Sequence, residues 1–320
     1  MNQDGARLRR GALALVGLLA LGLLAGPAVA AGTGVYKGGG SVGRSRIPNF
    51  EGWLGEKIPR ALDFTTHDTW SSVLNSATYI GQSWAGSRWR LTVSIPMIPA
   101  DGVSTLAKAA SGTYNDNFRK IAAALIGRGY GNAVIRLGWE FNGNWYPWAA
   151  SKCPTCFVQA WRQIVTAMRS VGGAAFKFDW CMNIGTNGIA AEKVWPGDAY
   201  VDIVGMDIYN QTWDPSTQSP TARWSWQLTQ SHGLNWLASF ASAHGKPVSF
   251  PEWATGIRVG YPGVGGGDDP YFIQKMHDWI AAHNVAYHNY WDYNAPDFKA
   301  QLSNNQFPKA AAKYKALFGP

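Results

Sequence analysis

The stretch NAVIRLGWEFNGNWYPW, residues 132–148, decides how this chain is read. Its apolar run, 133–137, has the length of a buried strand and gives way abruptly to Gly, Asn and Trp, as where a strand opens into a loop. Glu140 stands at that junction and is the only acid between Asp116 and Asp179. Trp139, Phe141, Trp145 and Trp148 flank it. Aromatic neighbours strip water from a carboxyl, raise its pKa and suit it to donate a proton near neutrality. A plainer alternative pairs Glu140 with Arg136, and the stretch alone leaves both open.

Outward from this segment, short apolar runs alternate with helical patterns, the signature of repeated βα units around a parallel sheet. Strands are expected at 33–36, 60–64, 88–95, 133–140, 176–182, 201–208, 247–252 and 285–291, and helices at 114–128, 157–171, 223–244, 270–283 and 309–318 among others. Eight strands favour an α/β fold of the (β/α)8 TIM barrel type, a single domain. No G-x-G-x-x-G or G-x-x-x-x-G-K-[ST] run supports a nucleotide-binding open sheet instead. Barrel enzymes carry their chemistry at the C-terminal strand ends. Those ends bear Asp63, Glu140, Asn183, Asp207 with Tyr209, Glu252 and Trp291.

Residues 1–30 are expected to be a secretory signal peptide. Arg7, Arg9 and Arg10 precede an apolar run, and Ala28-Val29-Ala30 offers a small-residue cleavage site, leaving a catalytic domain of residues 31–320. The protein is thus expected to be extracellular, with no membrane association after cleavage, and monomeric. The net charge of +8 is scattered, with no Lys/Arg block, which argues against nucleic acid as a partner. The 17 Trp exceed what packing usually requires, and indoles stack well on sugar rings, although Trp161 and Trp279 within expected helices read as core.

KPVSFPEW, 246–253, ends like the first stretch in Glu followed by Trp, which makes Glu252 the natural partner of Glu140. Only a fold that gathers distant strand ends could bring the two together. Paired carboxylates in unlike surroundings are what glycoside hydrolysis needs. In VDIVGMDIYN, 201–210, alternation puts Gly205, Asp207 and Tyr209 on one face. Tyr209 could hydrogen-bond a nucleophilic carboxylate, or both side chains could be barrel-interior packing.

These three segments, with Asn142 and Gly143 in the first and Lys246-Pro247 opening the last, resemble glycoside hydrolase family 26, the β-mannanase family of clan A, in order and spacing over nearly the whole mature chain. The resemblance implies Glu140 as acid/base, Glu252 as nucleophile and Tyr209 as the residue that holds the nucleophile. It implies sugar contacts by Trp145 and Trp291. Trp139, Asn142, Trp148, Asp207 and Trp253 complete the expected substrate-binding set. The family commonly has His before the acid/base where this chain has Trp139, so the fold and both carboxylates carry over while the preference for mannan is left open.

Cys153 and Cys156 are expected to form a local disulfide, with Cys181 a free buried thiol. Three cysteines cannot make a four-thiolate zinc site, the His are dispersed, and no cofactor or metal is implied. The Gly-rich loop 260–269 could hold calcium through Asp268 and Asp269, though a solvated turn is the simpler reading. The expected function is a secreted retaining hydrolase that cuts internal β-linkages of a polysaccharide, first of all β-1,4-mannan. The alternatives are another β-glycan of glucan or xylan type, or a non-catalytic carbohydrate-binding barrel.

Overall fold

A computed structural model describes residues 32–320; the expected signal peptide and its cleavage point lie outside the described residues. Eight parallel strands close into a barrel in sequence order: β1 Thr33–Tyr36, β2 Arg60–Phe64, β3 Arg90–Ile95, β4 Val134–Leu137, β5 Lys177–Asn183, β6 Ile203–Tyr209, β7 Val248–Ala254 and β8 Val285–Trp291. β8 returns to β1, pairing Thr33 with His288 and Tyr36 with Trp291. This is the (β/α)8 barrel that the strand count predicts. Helices flank it: α1 Gly40–Leu54, α2 Trp70–Trp84, α3 Leu106–Ala110, α4 Asn115–Ile126, α5 Pro154–Arg169, α6 Pro220–Thr229, α7 Leu234–Ala243, α8 Pro270–Ala282 and α9 Pro308–Phe318.

Strands covered on both faces must be apolar almost throughout, and β7 is buried at all seven positions. The core lies between barrel and helices, where Trp84, Trp161, Trp180 and Trp253 have almost no accessible surface. Trp161 and Trp279 are core, as their helical setting suggests. The barrel lumen is polar instead: Arg136, Asp179, Asp207 and Ser249 are all buried.

Two departures from the sequence reading have identifiable causes. β4 stops at Leu137 rather than reaching Glu140, because Gly138 and Glu140 both adopt left-handed backbone, each with φ of 52°. A side chain at Gly138 would strike the Met97 thioether at 2.7–2.8 Å, so the turn needs glycine there. The expected helix 223–244 is two helices, α6 and α7, broken where His232 turns left-handed at φ 57° ahead of Gly233. The β5–β6 connection, for which the sequence reading names no helix, carries a short 3-10 turn, Ala191–Val194.

In the Gly-rich loop both acids are engaged at helix starts rather than left in a solvated turn. Asp269 caps α8 by accepting from the amides of Tyr271 and Phe272, and Asp268 accepts from the amides of Lys309 and Ala310 at the start of α9. Among the described residues no group of three or more His, Cys, Asp or Glu is placed to hold a metal ion. Cys153 and Cys156 are disulfide-bonded at the entrance to α5, and Cys181 is a buried free thiol.

Candidate active site

Glu140 and Glu252 line one cleft of about 700 Å³ at the C-terminal end of the barrel, together with Tyr36, Trp139, Trp145, Tyr209 and Trp291. They reach it by different routes. Glu252 lies within β7, where Pro251 has no amide to offer the ladder and the pairing with β6 shifts register between Gly205 and Ile208. The Glu252 amide donates instead to Asp207 Oδ1 at 3.1 Å. Glu140 sits three residues beyond β4, its amide donating to the Cys181 carbonyl of β5 at 2.9 Å.

Their electrostatic surroundings are opposite. Glu252 Oε1 accepts from the Arg136 guanidinium at 2.6 Å, and Oε2 accepts from the Tyr209 hydroxyl at 2.5 Å. Arg136 is fully buried, donates also to Ser94 Oγ, and forms an ion pair with Asp207. Burial opposes its charge, but the charges of Asp207 and Glu252 help hold the guanidinium well above the ordinary arginine range. Burial, reinforced by the negative charge of Glu252, likewise keeps Tyr209 a phenol and hence a donor.

Glu140 has neutral donors only: Asn183 Nδ2 to Oε1 at 2.7 Å and the Trp145 indole to Oε2 at 2.8 Å. Burial pushes its carboxyl up to about 7, and the negative charge of Glu252 pushes the same way. Arg136 and the two hydrogen bonds only partly offset this. A carboxyl at that value is protonated for about half the time at neutral pH. Arg136 makes no ion pair with Glu140, so the plainer alternative for this stretch is corrected.

The expected binding residues divide sharply. Trp145 is 49% exposed over the cleft, Trp291 lies against Tyr36 in a stacked pair, and Trp139 reaches the cleft wall edge-on to Phe64. Four others cannot meet a sugar, because they are buried. Trp148 packs under Trp139 and donates to its carbonyl, and Trp253 packs outward against Tyr314 and Phe318, its indole donating to His288. Asn142 ties the loop to β5 through the carbonyls of Asn183 and Gly185 and the Asn183 amide. Asp207 is occupied by Arg136 and the Glu252 amide.

Sequence reasoning missed Arg136 as the centre of the ionic cluster, and it missed Trp213, 57% exposed at the cleft rim with its ring edge-on to Tyr261. A charged residue in the apolar run 133–137 was the available sign of the first. Nothing local marks the second, because Trp213 follows β6 in irregular chain.

The profile of Glycosyl hydrolase family 26 matches residues 128–295, which span both carboxylates. Endoglucanase H of Acetivibrio thermocellus is 25% identical over a 331-residue alignment covering 95% of this chain. The chain spans about a third of the length of that relative, 33%. Among solved structures, a Bacillus subtilis mannanase superposes with a TM-score of 0.60 at 15% identity, over 88% of this chain and 84% of that one. A fungal β-1,4-galactanase gives 0.62 at 13%, over 88% and 98%. These distant likenesses bear on the fold, whereas the profile covers more than half of the chain, which is a glycoside hydrolase and belongs to glycosyl hydrolase family 26.

Proposed function

We propose that this hydrolase is exported and cleaves internal β-linkages of a polysaccharide with net retention, with Glu252 as nucleophile, Glu140 as acid/base and Tyr209 orienting Glu252. In the first step a Glu252 oxygen bonds to the anomeric carbon as the bond to the glycosidic oxygen breaks, and Glu140 gives its proton to that departing oxygen. In the second, Glu140, now a carboxylate, takes a proton from water whose oxygen displaces Glu252. The observation that carries this reading is the contrast in partners: a cation and a phenol on Glu252, neutral donors on Glu140. The second set tolerates a carboxylic acid at Glu140, whose carboxyl burial pushes up to about 7. Proton NMR of the first product formed from a β-glycan tests it: the β anomer is expected to appear before mutarotation, and the α anomer first would contradict it.

The sugar read first is β-1,4-mannan, on the family resemblance. The second reading is β-glucan, favoured by Trp139, whose indole packs against the Tyr146 ring and offers no acceptor to an axial hydroxyl. The name of the Acetivibrio relative, an endoglucanase, leans the same way. Reducing ends released from mannan, β-glucan and xylan at equal concentration separate the readings; mannan far ahead of both others would show that Trp139 has not relaxed the discrimination. Export rests on the 1–30 pattern, and a disulfide at Cys153 and Cys156 fits an oxidising compartment. N-terminal sequencing of protein from the medium is expected to begin at or near Ala31, and an intact Met1 would rule the signal out.

A further inference from the structure

Because all eight strands run the same way, their first residues share the face opposite the carboxylates. There a cavity of about 500 Å³ is lined by Arg60, Arg90, Lys177 and Lys246 with Asp202 as the single acid. Arg60, Arg90 and Lys177 are the first residues of β2, β3 and β5.

The charges in this bowl do not balance. Asp202 Oδ2 is taken by Arg169 at 3.0 Å and by the Phe178 amide at 2.8 Å, while Oδ1 faces Lys177 at 3.6 Å. Lys246 donates to the Asp198 carbonyl at 2.7 Å. Neither the Arg60 nor the Arg90 guanidinium has an acceptor among the described residues, and Arg60 Nε is buried without a partner. The two arginines are register partners on adjacent strands, so their side chains leave the same face. Like charges set opposite one another across strands repel. Burial first, and then the charge of Arg90, works against the Arg60 cation. Arg60 is nonetheless held in place, its guanidinium 5.2 Å over the Tyr287 ring, and Tyr287 donates in turn to Asp179.

We infer that this bowl is an oxyanion site: a sulfate, phosphate or carboxylate group, free in solution or carried on a polymer, would be gripped by Arg60 and Arg90, with Lys177 and Lys246 at the rim. Paired guanidinium groups present parallel N–H donors that match such groups in bidentate fashion, and a cation already stacked on an aromatic ring loses little freedom on binding. The anion would supply the acceptors that the fold lacks and cancel the repulsion between the two strands.

Thermal unfolding of the whole protein tests this, with sodium sulfate titrated against sodium chloride at matched ionic strength. A saturable rise in midpoint specific to sulfate is expected. Arg90→Gln and Arg60→Gln should weaken the apparent sulfate affinity at least about tenfold, the loss of one charge-assisted hydrogen bond. The equal-charge control Lys120→Gln, on an exposed position of α4, should leave it unchanged. Arg90 is exposed, so its variant is expected to fold and to keep full hydrolytic activity even where Arg60→Gln does not. Electrophoresis through gels containing dextran sulfate identifies the source: retardation lost in Arg90→Gln but kept in Lys120→Gln assigns a polymer-borne group, and equal retardation with the sulfate effect intact assigns a free ion. Equal effects of sulfate and chloride on the native protein, or an Arg90→Gln variant matching Lys120→Gln in the sulfate titration, would overturn the proposal.

Discussion

Glu140 and Glu252 are the same residue type in the same cleft, yet the barrel surrounds them with different partners. Glu252 belongs to a strand and is held from the lumen by a buried guanidinium that also serves Asp207. Glu140 belongs to the loop, in a left-handed conformation that a non-glycine residue adopts at some cost, and it meets only an amide and an indole. The difference teaches that the lumen gives a carboxyl a charged partner while the loop gives it neutral ones. It also shows that charge on one affects the other, since the negative charge of Glu252 helps keep Glu140 protonated.

The comparison can be broken most severely at Glu252. Glu252→Ala should lower kcat on every substrate by a factor on the order of 10⁵ or more, because no covalent intermediate can form. Glu140→Ala should cost about 10²–10⁴-fold on polysaccharide, the usual range for a general acid, and far less on aryl glycosides with good leaving groups. Equal losses on both substrate types in the two variants would erase the distinction.

Arg136→Met attacks the lumen side. It strands Asp207 as a buried charge without its partner, so urea unfolding should show about 3–5 kcal/mol of lost stability. Tyr209→Phe is gentler, removing one hydrogen bond from the Glu252 carboxyl, with kcat on polysaccharide expected to fall about 10–100-fold. The smallest change is Trp145→Phe. Activity needs the protonated acid, so the alkaline limb of kcat/KM is expected at a pH of about 7. The Trp145 indole favours the charged form of Glu140, and its loss should raise that limb. A limb that fell or stayed would show that the indole does not tune Glu140.

Much of the framework was legible because strands buried on both faces leave apolar runs that are hard to mistake. All eight strands fall where those runs lie, although β4 closes early at a turn whose need for Gly138 comes from Met97, far away in sequence. Glu140, Glu252 and Tyr209 were legible as residues at strand ends. The contents of the lumen were not. Arg136 inside an apolar run finds its partners on β6 and β7, and nothing local names them. The Trp residues misled for a related reason. Trp148 and Trp253 sit beside cleft residues in sequence, but the turn after β4 and the alternation of β7 direct them into packing, whereas Trp213, in irregular chain, is left exposed at the rim.

The measurement that tests the division of labour most directly is azide rescue of Glu140→Ala with an activated aryl β-glycoside. The leaving group needs little protonation, so the glycosyl-enzyme should form on Glu252 and then wait, since no base activates water. Azide needs no base. It should restore turnover and yield a glycosyl azide of β configuration, by a second displacement at the same carbon. An azide product of α configuration, formed by direct attack, or a Glu140→Ala variant that azide leaves unchanged, would contradict the roles assigned to the two carboxylates.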